Sequence, residues 1–149
     1  LMVWSAKQSY ICSLLGLCSR LWPLSATPDP DSGYTADPDL AAGLTALAMG
    51  EEITSRQLEE EALAGLCAAR VLQCVHAKTL TPADDLDAVS PWVTQIGISE
   101  NDIASALRQL YLALGWNEKD GLPLNSTLDS VLLSQASDLL AAVEAEEEA

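Results

Sequence analysis

TSRQLEEEALAGLCAARVLQCVHAK, residues 54–78, reads as one long helix. Thr54 or Ser55 supplies a start signal, and Glu59, Glu60 and Glu61 follow in the early turns, where a helix favours negative charge. From Ala62 to Ala77 only Arg70, Gln73 and His76 are strongly polar. Their spacing of three gathers them into a narrow stripe and leaves the rest of the circumference apolar. A helix of this length measures about 37 Å at its rise per residue. A chain of 149 residues has a radius of gyration of only about 15 Å. The spacing therefore predicts a central core helix running through most of the body.

The composition agrees with a helical fold. Hydrophobic residues make up 49%, yet there is no Phe and only four Trp and three Tyr. The core must be aliphatic, and Ala and Leu favour helix over strand. Upstream, residues 3–22 have helical periodicity, with Trp4, Ile11, Leu14, Leu15, Cys18, Leu21 and Trp22 to one side and a ridge of small residues opposite. Pro23 is the expected stop. Residues 23–39, PLSATPDPDSGYTADPD, are too rich in proline and aspartate for a helix or a central strand, and read as an extended arm.

Asp39 then reads as the cap of a short helix, Leu40–Met49, with Leu40, Leu44 and Leu47 on its apolar face and Gly50 as its stop. Pro82 opens a short acidic helix, and Ser90-Pro91 a turn ending at Gly97. Ser99 and Asp102 form a capping-box pattern before a helix over 100–114 that ends at Gly115. A loop with an Asp120-Gly121 turn leads to a last helix from Ser126 to about Val143. The expected architecture is all-α: a helical bundle of five or six helices around 54–78. Its parts are an amphipathic N-terminal helix (1–22), an extended Pro/Asp-rich arm (23–39) and an acidic bundle (40–149).

Net charge is −15, from 22 acidic and 7 basic residues, and it is unevenly distributed. Residues 1–26 hold Lys7 and Arg20 and no acid, so every carboxylate lies beyond them. Such a body repels DNA, RNA and anionic membranes and attracts basic protein surfaces. No apolar run reaches the roughly 20 residues of a membrane span. Arg20, Trp22 and Pro23 after the apolar run Ile11–Cys18 are poor chemistry for the end of a secretory signal. The expectation is a soluble protein of a reducing compartment or of a viral particle.

The residues that could carry chemistry do not form a motif. Cys67 and Cys74 lie about 10 Å apart along one helix, too far for a disulfide, and with Cys12 and Cys18 they read as buried thiols acting as small hydrophobes. Cys74 and His76 fall about 200° apart around the helix, so they cannot act on one atom. The cysteines lack the close ligand pair of a zinc site. Asp29, Asp31 and Gly33 match half of a calcium loop, but Leu40 stands where its bidentate Glu is needed. There is no phosphate-binding glycine motif and no nucleophile elbow. The carboxylates at 59–61 and 84–87 read as solvated first turns.

The expected function is non-catalytic, with no cofactor and no metal: a structural or assembly protein acting through protein–protein contacts. Its partners would be further copies or neighbouring assembly subunits, and its contact residues Trp4, Ile11, Leu15, Trp22 and Tyr34. The ring-forming adaptors at the neck of tailed phages are similar in architecture, being small, helical and built with terminal arms. The alternative is an acidic inhibitor, immunity protein or DNA mimic that occupies a basic partner.

Overall fold

A computed structural model describes residues 2–16, 26–29, 31, 33–37, 39–78, 85 and 93–147. The described chain is mostly helical. Its elements are α1 (Met2–Leu14), β1 (Ala26–Asp29), β2 (Gly33–Ala36), α2 (Leu40–Met49), α3 (Ser55–Ala77), α4 (Glu100–Leu114), α5 (Asn125–Ser130) and α6 (Ala136–Glu147), with a 3₁₀ turn at Thr94–Ile96. Two compact units divide at Gly65, inside α3, rather than at the proline-rich segment: residues 1–65 and 66–149.

In the first unit, α1 ends at Leu14, eight residues before Trp22, the last residue of the expected helix. Leu15 still donates to Ile11 O at 3.0 Å, but Gly16 turns left-handed at φ 65°. Glycine enters that region without a Cβ clash, so it terminates the helix before Pro23 can. The remainder of the expected helix, 17–22, lies outside the described residues.

The arm also departs from expectation, because it contains strands. β1 and β2 form a two-stranded antiparallel hairpin with Thr27 opposite Thr35 and Pro28 opposite Tyr34. A two-stranded sheet has only edges, so the missing proline N–H breaks no interior ladder. Proline density excluded a central strand here without excluding a hairpin.

α3 is one helix, as its sequence predicts, and its start is a reciprocal capping box. The Gln57 N–H donates to Thr54 Oγ1 at 3.2 Å, while Gln57 Oε1 accepts from the Thr54 N–H at 2.9 Å. The return partner is Gln57, not one of the glutamates. Ile11, Ala41, Ala42, Leu58 and Ala62 form the core of this unit, with Tyr10, Leu15 and Ile53 against it. The Tyr10 ring lies directly over Gly65, where a Cβ would collide with it.

In the second unit, Cys67, Val71, Cys74, Ile103, Leu114, Trp116, Leu128, Ala136 and Val143 are buried. α4 has the expected start: Ser99 Oγ accepts from the Asp102 N–H at 3.2 Å, and Gly115 closes the helix at φ 73°. The expected continuous last helix is broken into α5 and α6. Leu132 adopts φ 59°, and the Leu133 N–H reaches back to Leu128 O at 2.8 Å, the six-residue bond of a Schellman ending. The short helix expected after Pro82 lies outside the described residues apart from Asp85.

Candidate functional site

Two places concentrate side chains that composition alone does not explain, one in each unit. In the first unit it is α2. The sequence placed Leu40, Leu44 and Leu47 on one apolar face, but the side of the helix that is buried is a different one. Ala41, Ala42 and Thr45 are buried, whereas Leu44 is 42%, Leu47 84% and Met49 65% exposed. The two arcs are roughly 140° apart around the helix. The small side of α2 shares the core of this unit with Ile11, Leu58 and Ala62, and Thr45 satisfies its hydroxyl on Ala41 O at 2.8 Å. The leucine ridge then has nowhere inward to go.

That ridge lines an open hollow of about 730 Å³, together with Gly43, Ala46 and Gly50 and the acids Asp37, Asp39, Glu51 and Glu52. A second hollow of about 370 Å³ shares Glu51 and Glu52 and adds Met49, Gln57, Glu60 and Glu61. Asp39 does not cap α2 with its side chain, as expected from sequence; its carboxylate accepts from the Ser55 hydroxyl. The unit's described cations are engaged elsewhere, Lys7 with Glu59 at 3.6 Å and Arg56 with Glu60 at 2.8 Å. Among the described residues, Asp37, Asp39, Glu51 and Glu52 make no ion pair.

In the second unit the feature is Arg70, only 5% exposed. Sequence spacing put it on a polar stripe with Gln73 and His76, and those two are indeed exposed. Arg70 instead points inward, where a guanidinium must be fully paired to be tolerated. Its Nη2 lies 3.0 Å from Asp85 Oδ2 and its Nη1 3.2 Å from Asp85 Oδ1, a two-point fork. Nε donates to Gly121 O at 3.0 Å, Nη2 to Asp120 O at 3.3 Å and Nη1 to Gln73 Oε1 at 3.2 Å. The guanidinium carbon is 5.9 Å from the ring centres of both Tyr111 and Trp116.

The loop between α4 and α5 is shaped for this contact. Gly121 sits at φ 66°, and a Cβ there would come within 2.7 Å of Arg70 Nη2 and of the Tyr111 ring. Asn117 N–H donates to Leu122 O at 2.7 Å, and Asp120 Oδ1 takes the Leu122 N–H at 2.9 Å. Every nitrogen of the guanidinium thus has a partner within the protein. Arg70 is an anchor for the 115–124 loop rather than a group presented to a ligand.

Tyr111 donates its hydroxyl to Asp85, and its pKa is pushed up to about 12, by burial first and then by the bond to Asp85 and its charge. A phenol pKa raised above the unfolded value of about 10 stabilises the fold fully below pH 10. That contribution is lost as pH rises from about 10 through about 12. Because the ring is part-exposed, the loss is smaller than the shift alone implies. Urea midpoints between pH 9 and 11.5 should fall in the native chain, and Tyr111→Phe should remove that part of the fall.

Of the expected contact residues, Trp4 is 52% exposed, whereas Ile11 is 1% exposed and belongs to the core of its own unit. Ile11 therefore offers no surface to a partner. Leu15 is half-buried against that core. Trp22 and the side chain of Tyr34 lie outside the described residues. Cys12, Cys67 and Cys74 are buried and His76 is exposed, so the helix separates them as its geometry requires. Cys67 accepts from Trp116 Nε1 at 3.4 Å; burial pushes its thiol pKa up, partly offset by that bond. Among the described residues no helix is long and apolar enough to cross a membrane.

No family model matches the chain, and no solved structure matches it.

Proposed function

We propose that this chain is a non-catalytic assembly protein that works through contacts with other proteins, as a subunit of a large oligomeric or viral assembly in a reducing setting. The observation that carries the reading is the apolar surface of the first unit. α1 leaves Trp4 and Leu14 exposed, at 52% and 59%, and α2 leaves Leu44, Leu47 and Met49 outside. Large apolar side chains left exposed on two helices of one unit favour a surface that meets other proteins. A net charge of −15 keeps such a surface soluble until a partner covers it.

The same charge favours a second reading, an acidic inhibitor or DNA mimic seated in a basic cleft. Salt separates the two. Contacts between apolar helices persist at molar salt, where charges are screened within about 3 Å. Light scattering should give a mass that is a multiple of 15.8 kDa at low and molar salt, with residues 1–39 protected in hydrogen exchange. A single-chain mass under both conditions, with 1–39 unprotected, overturns self-assembly. A partner complex that dissolves with salt favours the inhibitor.

A further inference from the structure

We propose that the leucine face of α2 is a docking groove for a basic amphipathic helix supplied by a different protein. The proposal rests on the reading of this chain as a protein-contact module, and it names one surface and the chemistry of its occupant. Leu40, Leu44 and Leu47 recur at helical spacing along the hollow, which is how a groove receives the apolar stripe of a second helix. Gly43 lies beside the ridge, and nothing stands within 4 Å of where its Cβ would be. An incoming helix can approach the α2 backbone closely there. In a helix interior glycine is less favourable than alanine, and no neighbour within 4 Å requires it at position 43.

Charge selects the occupant. Asp37, Asp39, Glu51 and Glu52 border the leucines, and Glu60 and Glu61 extend the acid into the adjoining hollow. Arg56 is the one base among the described residues of that neighbourhood, and Glu60 already holds it. Lysine or arginine flanking an apolar stripe would meet Asp37, Asp39, Glu51 and Glu52, which make no ion pair among the described residues, while an acidic helix would be repelled. A second copy of this chain is a poor occupant. It carries 22 acids against 7 bases, and its acid-free N-terminal helix already commits Ile11 to its own core and Lys7 to Glu59.

The test uses the full chain and a fluorescent synthetic peptide of about 18 residues, five helical turns, with leucines at positions i, i+4 and i+7 and lysine or arginine elsewhere. Fluorescence anisotropy should show saturable one-to-one binding that weakens with salt. Leu47→Asp should weaken it on the order of 10- to 100-fold, the loss expected for one apolar anchor. Leu47 is 84% exposed, so the variant keeps its fold, checked by its melting curve. Gly43→Trp should block binding likewise, and Glu51→Gln with Glu52→Gln should weaken it several-fold.

Equal binding of a scrambled peptide of the same charge would reduce the effect to polyelectrolyte attraction and overturn the groove. Equal binding of the peptide with glutamate in place of its bases would overturn the charge argument. So would a homo-oligomer that Leu47→Asp dissociates, since a second copy would then hold the face. Peptide binding by a single-chain species would uphold the groove while removing self-assembly. An oligomer indifferent to the peptide would do the reverse.

Discussion

Arg70→Ala is expected to destabilise the second unit by about 3–5 kcal/mol, the range for breaking one side of a buried ion pair. The size follows from what remains behind. The truncation leaves the Asp85 carboxylate without its fork and the Asp120 and Gly121 carbonyls without their donors. It also opens a gap between the rings of Tyr111 and Trp116, each 5.9 Å from the guanidinium carbon. Arg70→Lys restores a charge but not the planar fork or the stack, so it should recover less than half of the loss. Urea unfolding, followed by hydrogen exchange across residues 100–124, measures both effects and places them. Asp85→Asn in the Arg70→Ala background should cost little more, because the pair acts as one unit. Stability unchanged in Arg70→Ala would mean that the loop is held by its own backbone bonds.

How far the sequence discloses this molecule can be judged from such residues. The long helix was legible because its start signal and apolar periodicity agree over many turns. Gly50, Gly97 and Gly115 marked turns because each takes a left-handed φ that other residues avoid. Gly16 takes one too, but in the sequence it falls within the helical periodicity of residues 3–22, where nothing marks it as a stop. The break at Leu132 was invisible, since no leucine signals a positive φ. In α2 the sequence pattern placed Leu40, Leu44 and Leu47 on one apolar face. The structure instead buries Ala41, Ala42 and Thr45, the first two in one core with Ile11 and Leu58.

Arg70 carries the same lesson for the second unit. Its spacing with Gln73 and His76 was right for a stripe, and two of the three are exposed. Available signals for the third were a lone arginine in the apolar stretch 62–77 and the Asp-Gly turn that receives it. Their connection spans 50 residues or more along the chain, a distance at which residue patterns carry no pairing information. The exposed leucine face of α2 depends likewise on which side of the helix packs into the core.

Trp116→Ala should cost about 3–5 kcal/mol, the cost of removing a large aromatic from a packed site. Trp116 is 7% exposed and lies against Tyr111 with ring centres 6.2 Å apart and planes 23° from parallel. Its Nε1 donates to Cys67 Sγ, and its backbone N–H reaches Tyr111 O at 2.8 Å. The backbone bond survives truncation, so the loss belongs to the ring. Trp116→Phe keeps much of the apolar area but deletes the indole donor, and should fall well short of the alanine value. Cys67 supplies an independent readout. It is fully buried, its thiol pKa is raised by that burial, and it reacts only when the second unit opens. Alkylation of Cys67 should therefore accelerate in Trp116→Ala in proportion to the lost stability, about tenfold per 1.4 kcal/mol while opening and closing outpace the reagent. The double variant with Arg70→Ala should be less destabilised than the two losses added, because the guanidinium and the indole share one stack. Strict additivity would mean that Arg70 holds the 115–124 loop through hydrogen bonds alone and that the indole merely fills space beside it.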